Sequence, residues 1–213
     1  MMRKPSWLLR ALSALLAYPD AELRAALPEI ADAIAATRAI KRPHRDALLR
    51  LVDDIAGRDE LDAQGRYVDL FDRGRRTSLN LFEHVHGDGR KRGPAMLELR
   101  QRYLDAGMEP VGDQLPDHLP LMLEYLSCQS RREIRDTLVE IAHIVRKLGN
   151  TLAKRHSPYA AVMAALLALG GEKGLDADAA VPPPDDFERT WEEKPAFAPP
   201  DPRPATSNER RRA

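Results

Sequence analysis

Six apolar residues, Ile134, Leu138, Ile141, Val145, Leu148 and Leu152, recur at spacings of four, three, four, three and four. That rhythm follows the α-helical turn of roughly 3.6 residues and lays one apolar stripe along a single face. Arg131, Arg135, Lys147 and Lys154 populate the other faces. The spacing predicts a long helix over about residues 131–155, which must bury its stripe against other helices. No stretch alternates in the manner of a strand, so the expected fold class is all-α.

The same logic places the other helices. Pro5 and Ser6 open a first one with Leu8, Leu12, Leu15 and Leu16 on one face, stopping at Tyr18-Pro19. Basic residues precede this apolar stretch as in a signal peptide, but Arg10 interrupts it and no small-x-small cleavage site follows. It reads as the first helix of the domain. Pro28 suits the first turn of a helix running to about Thr37. Pro43 begins a helix carrying Leu48, Val52 and Ile55 and closed by Gly57. A fourth runs from Asp59 through Asp72, with Tyr67, Leu70 and Phe71 as its apolar patch. Thr77 or Ser78 is expected to cap a short fifth helix bearing Leu79, Leu81 and Phe82. Pro94 starts a sixth, which Gly107 would end in a left-handed cap. Asp117 is expected to cap a seventh helix bearing Leu119, Met122, Leu123 and Leu126, with Pro120 tolerated in its first turn. Pro158 starts the last, with Tyr159, Val162, Met163 and Leu166, ending at Gly170-Gly171. The result is a single-domain helical bundle of about eight to nine helices over residues 1–169.

From Gly170 the composition changes: eight of the 17 prolines lie between Val181 and Pro204. Such a segment cannot bury enough apolar surface to offset its ordering entropy, so residues 170–213 are expected to form a mostly disordered tail. Phe187, Trp191 and Phe197, set among acids, mark 187–197 as a candidate docking segment within it.

Composition excludes several classes. At 213 residues the chain can bury a sizeable core. Lys+Arg (33) balance Asp+Glu (33), which argues against nucleic-acid binding and against stable attachment to an anionic membrane. A lone cysteine, Cys128, excludes an intrachain disulfide framework and a Cys-built zinc site. It is expected mid-helix on a packed face. No uninterrupted apolar run approaches the roughly 18 residues of a membrane span. The expected location is cytoplasmic.

The densest chemistry lies between Tyr67 and Met96, YVDLFDRGRRTSLNLFEHVHGDGRKRGPAM. His84, His86 and Asp88, with His118 after Asp117, offer metal-type ligands, and a metal-dependent phosphohydrolase would bind its metal at His84, His86 and His118. Helical sites place ligands three or four apart, however, and two apart sends His84 and His86 in different directions. The plainer expectation for His84 is a hydrogen bond at a helix end. Asp72, Arg73, Arg75, Arg76, Arg90, Lys91 and Arg92 form a basic-leaning surface, yet no GxxxxGK[ST] loop accompanies it. Ser78 and Ser127 lack an elbow motif, and nothing activates Cys128. Catalysis is not expected.

This block also resembles the NarJ family, the dedicated assembly chaperones (delta subunits) of membrane-bound respiratory nitrate reductases, within the wider TorD-like group of all-helical redox-enzyme maturation proteins. The resemblance rests on Tyr67-Val-Asp-Leu-Phe-Asp72, on Ser78-Leu-Asn-Leu-Phe-Glu-His84, on Gly87, Arg90, Arg92-Gly93 and Ala95-Met96, and on Leu115-Pro-Asp-His-Leu-Pro-Leu-Met-Leu-Glu-Tyr-Leu126. Leu15-Leu-Ala-Tyr-Pro-Asp20 and Trp191-Glu-Glu-Lys-Pro195 look familial as well, so the likeness runs from about residue 7 to 198. It implies a non-enzymatic chaperone, a monomer or weak dimer, that binds the immature nitrate reductase alpha subunit, chiefly through its N-terminal segment. It implies support for insertion of the molybdenum bis-guanine-dinucleotide cofactor, which belongs to the client and not to this chain. A client helix would need an apolar groove with polar rims. Tyr67, Leu70 and Phe71, facing Leu119, Leu123 and Tyr125, are the expected floor, with about half of them buried as core. Asp72, Glu83, Asp117 and Glu124 are expected to meet basic client residues. Asp117-His118 matches the family's hinge motif, and His84 and His118 are placed to tune binding with pH. The alternative within the group is a chaperone for a dimethyl-sulfoxide or trimethylamine-oxide reductase.

Overall fold

A computed structural model of the chain describes residues 6–85, 92–109 and 114–176. Among them are nine α-helices and no strand. The helices are α1 (Trp7–Leu15), α2 (Ala21–Ala36), α3 (Arg42–Ala56), α4 (Glu60–Tyr67), α5 (Arg92–Asp105), α6 (Leu119–Ser127), α7 (Arg131–Glu140), α8 (Ala142–Lys154) and α9 (Ala160–Gly170). The all-α expectation holds.

Packing follows the apolar stripes. Helix α1 buries Leu8, Leu9, Leu12 and Leu15 and lies against α6 and α2. Polar bonds fix that contact: the hydroxyl of buried Ser13 donates to the Pro120 carbonyl at 2.8 Å, and the Ser6 N–H donates to Ser127 O at 2.7 Å. Helix α9, apolar almost throughout, sits among α8, α7 and α3. Gly149 makes the α8–α9 approach possible, because a Cβ there would lie 2.7 Å from Met163 Cβ and 2.4 Å from Leu175 Cδ2. Beyond α9 the chain folds back along α8 through residue 176: the Asp176 N–H donates to Asn150 Oδ1 at 2.9 Å, and Arg146 donates to Lys173 O at 2.9 Å. The rest of the expected tail, including Phe187, Trp191 and Phe197, lies outside the described residues.

Several local expectations are corrected. The stripe of Leu138, Ile141, Val145, Leu148 and Leu152 is buried, but the long helix divides at Ile141, whose ψ of 0° turns the backbone. Helix α2 starts at Ala21, not at Pro28, because the Asp20 carboxylate accepts the Leu23 N–H at 2.8 Å. Pro28 falls mid-helix on the exposed face, opposite Leu23, Leu27, Ile30 and Ile34. The fourth helix loosens after Tyr67 into a π-helical turn, Val68–Asp72. Neither Thr77 nor Ser78 caps a helix. Two 3-10 turns, Arg75–Thr77 and Leu81–His84, form instead, and the Thr77 hydroxyl donates to the Leu70 and Gly74 carbonyls. Cys128 is exposed at the end of α6 rather than packed.

Candidate functional site

The segments 78–84 and 114–119 meet in the fold. Asn80 and His118 form an isolated antiparallel bridge: Leu81 N–H donates to Asp117 O at 3.1 Å and Leu119 N–H to Leu79 O at 2.9 Å. Asp117 was expected to cap α6, but its carboxylate turns the other way and accepts the Phe82 N–H through Oδ2 at 2.8 Å. The start of α6 follows His118, which makes no side-chain cap. Asp117 is fully buried, and its second oxygen, Oδ1, has no hydrogen-bond partner. Burial pushes its pKa above the usual carboxylate range, opposed by the Phe82 N–H and by Arg92.

Ionisable neighbours gather around this bridge. The His84 Nε2–H donates to Ser78 O at 2.9 Å, the helix-end bond expected for it. His118 Nδ1 lies 3.3 Å from Gln114 Oε1. Burial lowers the pKa of both histidines. Glu83 and Asp117 act against this at His84, and Asp72 does so at His118. Glu83 pairs with Arg92 at 3.6 Å. The structure therefore brings Asp72, Glu83, His84, Asp117 and His118 into one electrostatic neighbourhood. His86 and Asp88 lie outside the described residues, within which no group of three His, Cys, Asp or Glu is placed to hold a metal.

The expected apolar floor is distributed differently. Tyr67 and Phe71 are buried in an aromatic node with Tyr159, the Phe71 and Tyr159 rings meeting edge-on at 5.1 Å. The Tyr67 hydroxyl donates to Leu16 O at 2.9 Å, and burial raises its pKa. Leu119 and Leu123 are wholly enclosed. Tyr125 packs on Tyr103 at 4.8 Å and donates to Glu133 at 2.6 Å, with its pKa pushed up to about 12 by burial and that carboxylate. Leu70 is half-buried, while Asp72 and Glu124 are exposed. Five of the six apolar residues are thus core in this conformation, more than half.

The break expected between residue 155 and Pro158 is present, but its left-handed conformation at His156 was not foreseen. Helix α8 ends there with His156 at φ 52°, and the bonds Ser157 N–H to Leu152 O and His156 N–H to Ala153 O close a Schellman-type cap. Glycine normally announces that conformation, and here histidine adopts it.

Fold and site together define a class: an all-helical bundle whose motif-rich loops meet at a buried polar junction. The chain belongs to the nitrate reductase delta subunit family, whose model matches residues 17–165. It is 44% identical over 167 residues to the nitrate reductase molybdenum cofactor assembly chaperone NarJ of Escherichia coli K12, covering 78% of this chain and 70% of that one. It is 40% identical over 166 residues to a probable chaperone of the same description, NarW, from that strain, covering 77% and 68%. A probable NarJ of Bacillus subtilis 168 is 35% identical over 158 residues, covering 74% and 85%.

Proposed function

We infer that this chain is an assembly chaperone for a nitrate reductase: it binds the immature catalytic alpha subunit and supports molybdenum cofactor insertion. The observation that carries this reading is the 44% identity over 167 residues to a protein of that description, spanning both motif blocks. The role is assembly rather than catalysis, and the molybdenum cofactor resides in the client. The relatives named above are all described by nitrate reductase, which favours that client over a dimethyl-sulfoxide or trimethylamine-oxide reductase.

In this reading the client's N-terminal segment is recognised as an amphipathic helix. Asp72 and Glu124 are exposed, and Leu70, Glu83, His84 and His118 are half-exposed; these make first contact. Tyr67, Phe71, Asp117, Leu119, Leu123 and Tyr125 form the wall that fixes them. The chaperone acts in the cytoplasm as a monomer or weak dimer. No helix among the described residues is long and apolar enough to cross a membrane. Deleting the gene should leave the reductase catalytic subunit present but poor in molybdenum and inactive, with activity restored by the plasmid-borne chain. Full molybdenum content in the deletion strain would contradict the reading.

A further inference from the structure

Helix α5 is anchored at few points. Among the described residues no other helix packs along its length, and Tyr103 is its one buried residue. The Tyr103 ring lies against Tyr125 of α6 at 4.8 Å, and its hydroxyl donates to Pro116 O at 2.8 Å. At the start of the helix Arg92 pairs with Glu83 at 3.6 Å, where the two side chains are 23% and 26% exposed. Leu99, partly buried, falls on the same face between these points. The inward face of α5 therefore reads cation, leucine, aromatic over about three turns, the pattern of a basic amphipathic helix.

What α5 covers is held in place without it. Tyr125 stands on α6, which buries seven of its nine residues, and its hydroxyl donates to Glu133 of α7 at 2.6 Å. The segments carrying Glu83 and Pro116 are tied to each other by the Asn80–His118 bridge. Lifting α5 breaks none of these bonds. It vacates an aromatic face, a carbonyl acceptor and a carboxylate, each of which had its partner from α5. Arg92 leaves with the helix, and so does Arg102, which is bonded to Glu98 of α5 at 2.9 Å and also feels Glu140 of α7. Glu83, Glu133, Glu140 and the buried Asp117 remain, with Lys147 on the His84 side. The uncovered face is aromatic and acidic, so the helix that fits it is one of α5's own kind.

We propose that α5 is a displaceable lid: the client's amphipathic helix takes its place, setting an apolar anchor against Tyr125 and a basic residue against Glu83. The inference rests on the assembly reading above and adds to it a closed state that shields this face when no client is present. Closure weakens binding by the fraction of molecules that are open, so an open fraction of about one tenth weakens it about tenfold.

The test adds to the full chain a peptide copying the first fifteen or so residues of the cognate reductase's catalytic subunit and follows amide exchange and affinity. Saturating peptide should accelerate exchange across 92–105 at least about tenfold while slowing it across 119–127. Tyr103→Ala, checked for folding by circular dichroism, should bind the peptide about tenfold more tightly than the parent, and Arg92→Gln about twofold to threefold. Adding Glu83→Gln to Arg92→Gln should weaken the peptide about threefold, with no loss for a peptide whose Lys and Arg are replaced by Gln. Slowed or unchanged exchange across 92–105 in the bound parent places the peptide elsewhere and overturns the lid, while the assembly reading stands. Equal or weaker binding by folded Tyr103→Ala does the same, as does an undiminished affinity after Glu83→Gln. If Tyr103→Ala does not fold, exchange in the parent and affinity in Arg92→Gln decide. Absence of any binding to the parent overturns the assembly reading and the lid with it.

Discussion

Helices α6 and α5 flank the same connection, yet α6 buries seven of its nine residues and α5 one of its fourteen. Helix α6 is the hub of one half of the core, reached by α1 through Ser13 and by the Asn80–His118 bridge. Helix α5 hangs on Tyr103, which stacks on Tyr125 and donates to Pro116 O at 2.8 Å. Its Leu97 is 69% exposed and Leu104 lies seven residues on, along the same face. Apolar content alone does not make a helix part of a core. What decides is whether its stripe meets another, and the stripe of α5 reaches the core through one buried ring, Tyr103, and the partly buried Leu99. Stability is concentrated in α6, while α5 is drawn from the low-stability end where local opening is cheap.

The largest test of this contrast is Leu123→Ala, which should cost about 2–5 kcal/mol in urea unfolding with an unchanged m value. Tyr103→Ala should cost less globally, about 1–2 kcal/mol, while amide exchange across 92–105 accelerates at least about tenfold. A global loss equal to that of Leu123→Ala would break the distinction between the helices.

The junction between them sharpens it. Asp117→Ala leaves the Phe82 N–H without its acceptor and should cost about 1–3 kcal/mol. Asp117→Asn keeps an acceptor and removes the charge. Because the folded pKa of Asp117 is raised, the native state holds its proton more tightly, and stability is lost as pH rises from the unfolded value through the folded one. The Asn variant should therefore match or exceed the parent at pH 7, with the difference shrinking toward pH 4. His84 and His118 have the opposite sign. Their lowered folded pKa values make stability fall as pH drops below about 6.5, so the double Gln variant should flatten the parent's decline between pH 7 and 5.5. The same variant tests pH tuning of client binding, where a preserved ratio of affinities at pH 6 and pH 8 would remove the histidines from that role. The smallest expected effects are those of Leu97→Gln and Leu104→Gln, each within about 0.5 kcal/mol of the parent in stability.

Much of this contrast could be read from residue order, and its failures have physical causes. Apolar spacing located the helices because burial enforces it, and Gly107 and Gly171 end helices with φ near 75° as glycines do. Asp117 was misplaced because the same carboxylate serves an N-cap or an acceptor 35 residues away, and local spacing cannot distinguish them. The break before Pro158 was legible, but the left-handed conformation of His156 was not, because that position lacks its usual glycine. Tyr67, Phe71, Leu119, Leu123 and Tyr125 are buried, because an aromatic and leucine stripe at helical spacing is satisfied by core packing, and spacing alone does not separate that from a binding floor. Of the polar candidates, Asp72, Glu83, His84, Asp117 and His118 stand in one neighbourhood, since the two blocks that carry them pair through the bridge.

The central claim is that this bundle recognises an immature polypeptide. It is tested most directly by titrating the purified chain with a peptide copying the first fifteen or so residues of the cognate reductase's catalytic subunit. Saturable binding at roughly micromolar concentrations, abolished when the peptide's apolar face is replaced by Gln, is the predicted result. No heat and no shift of amide resonances at peptide concentrations of about 1 mM would contradict it.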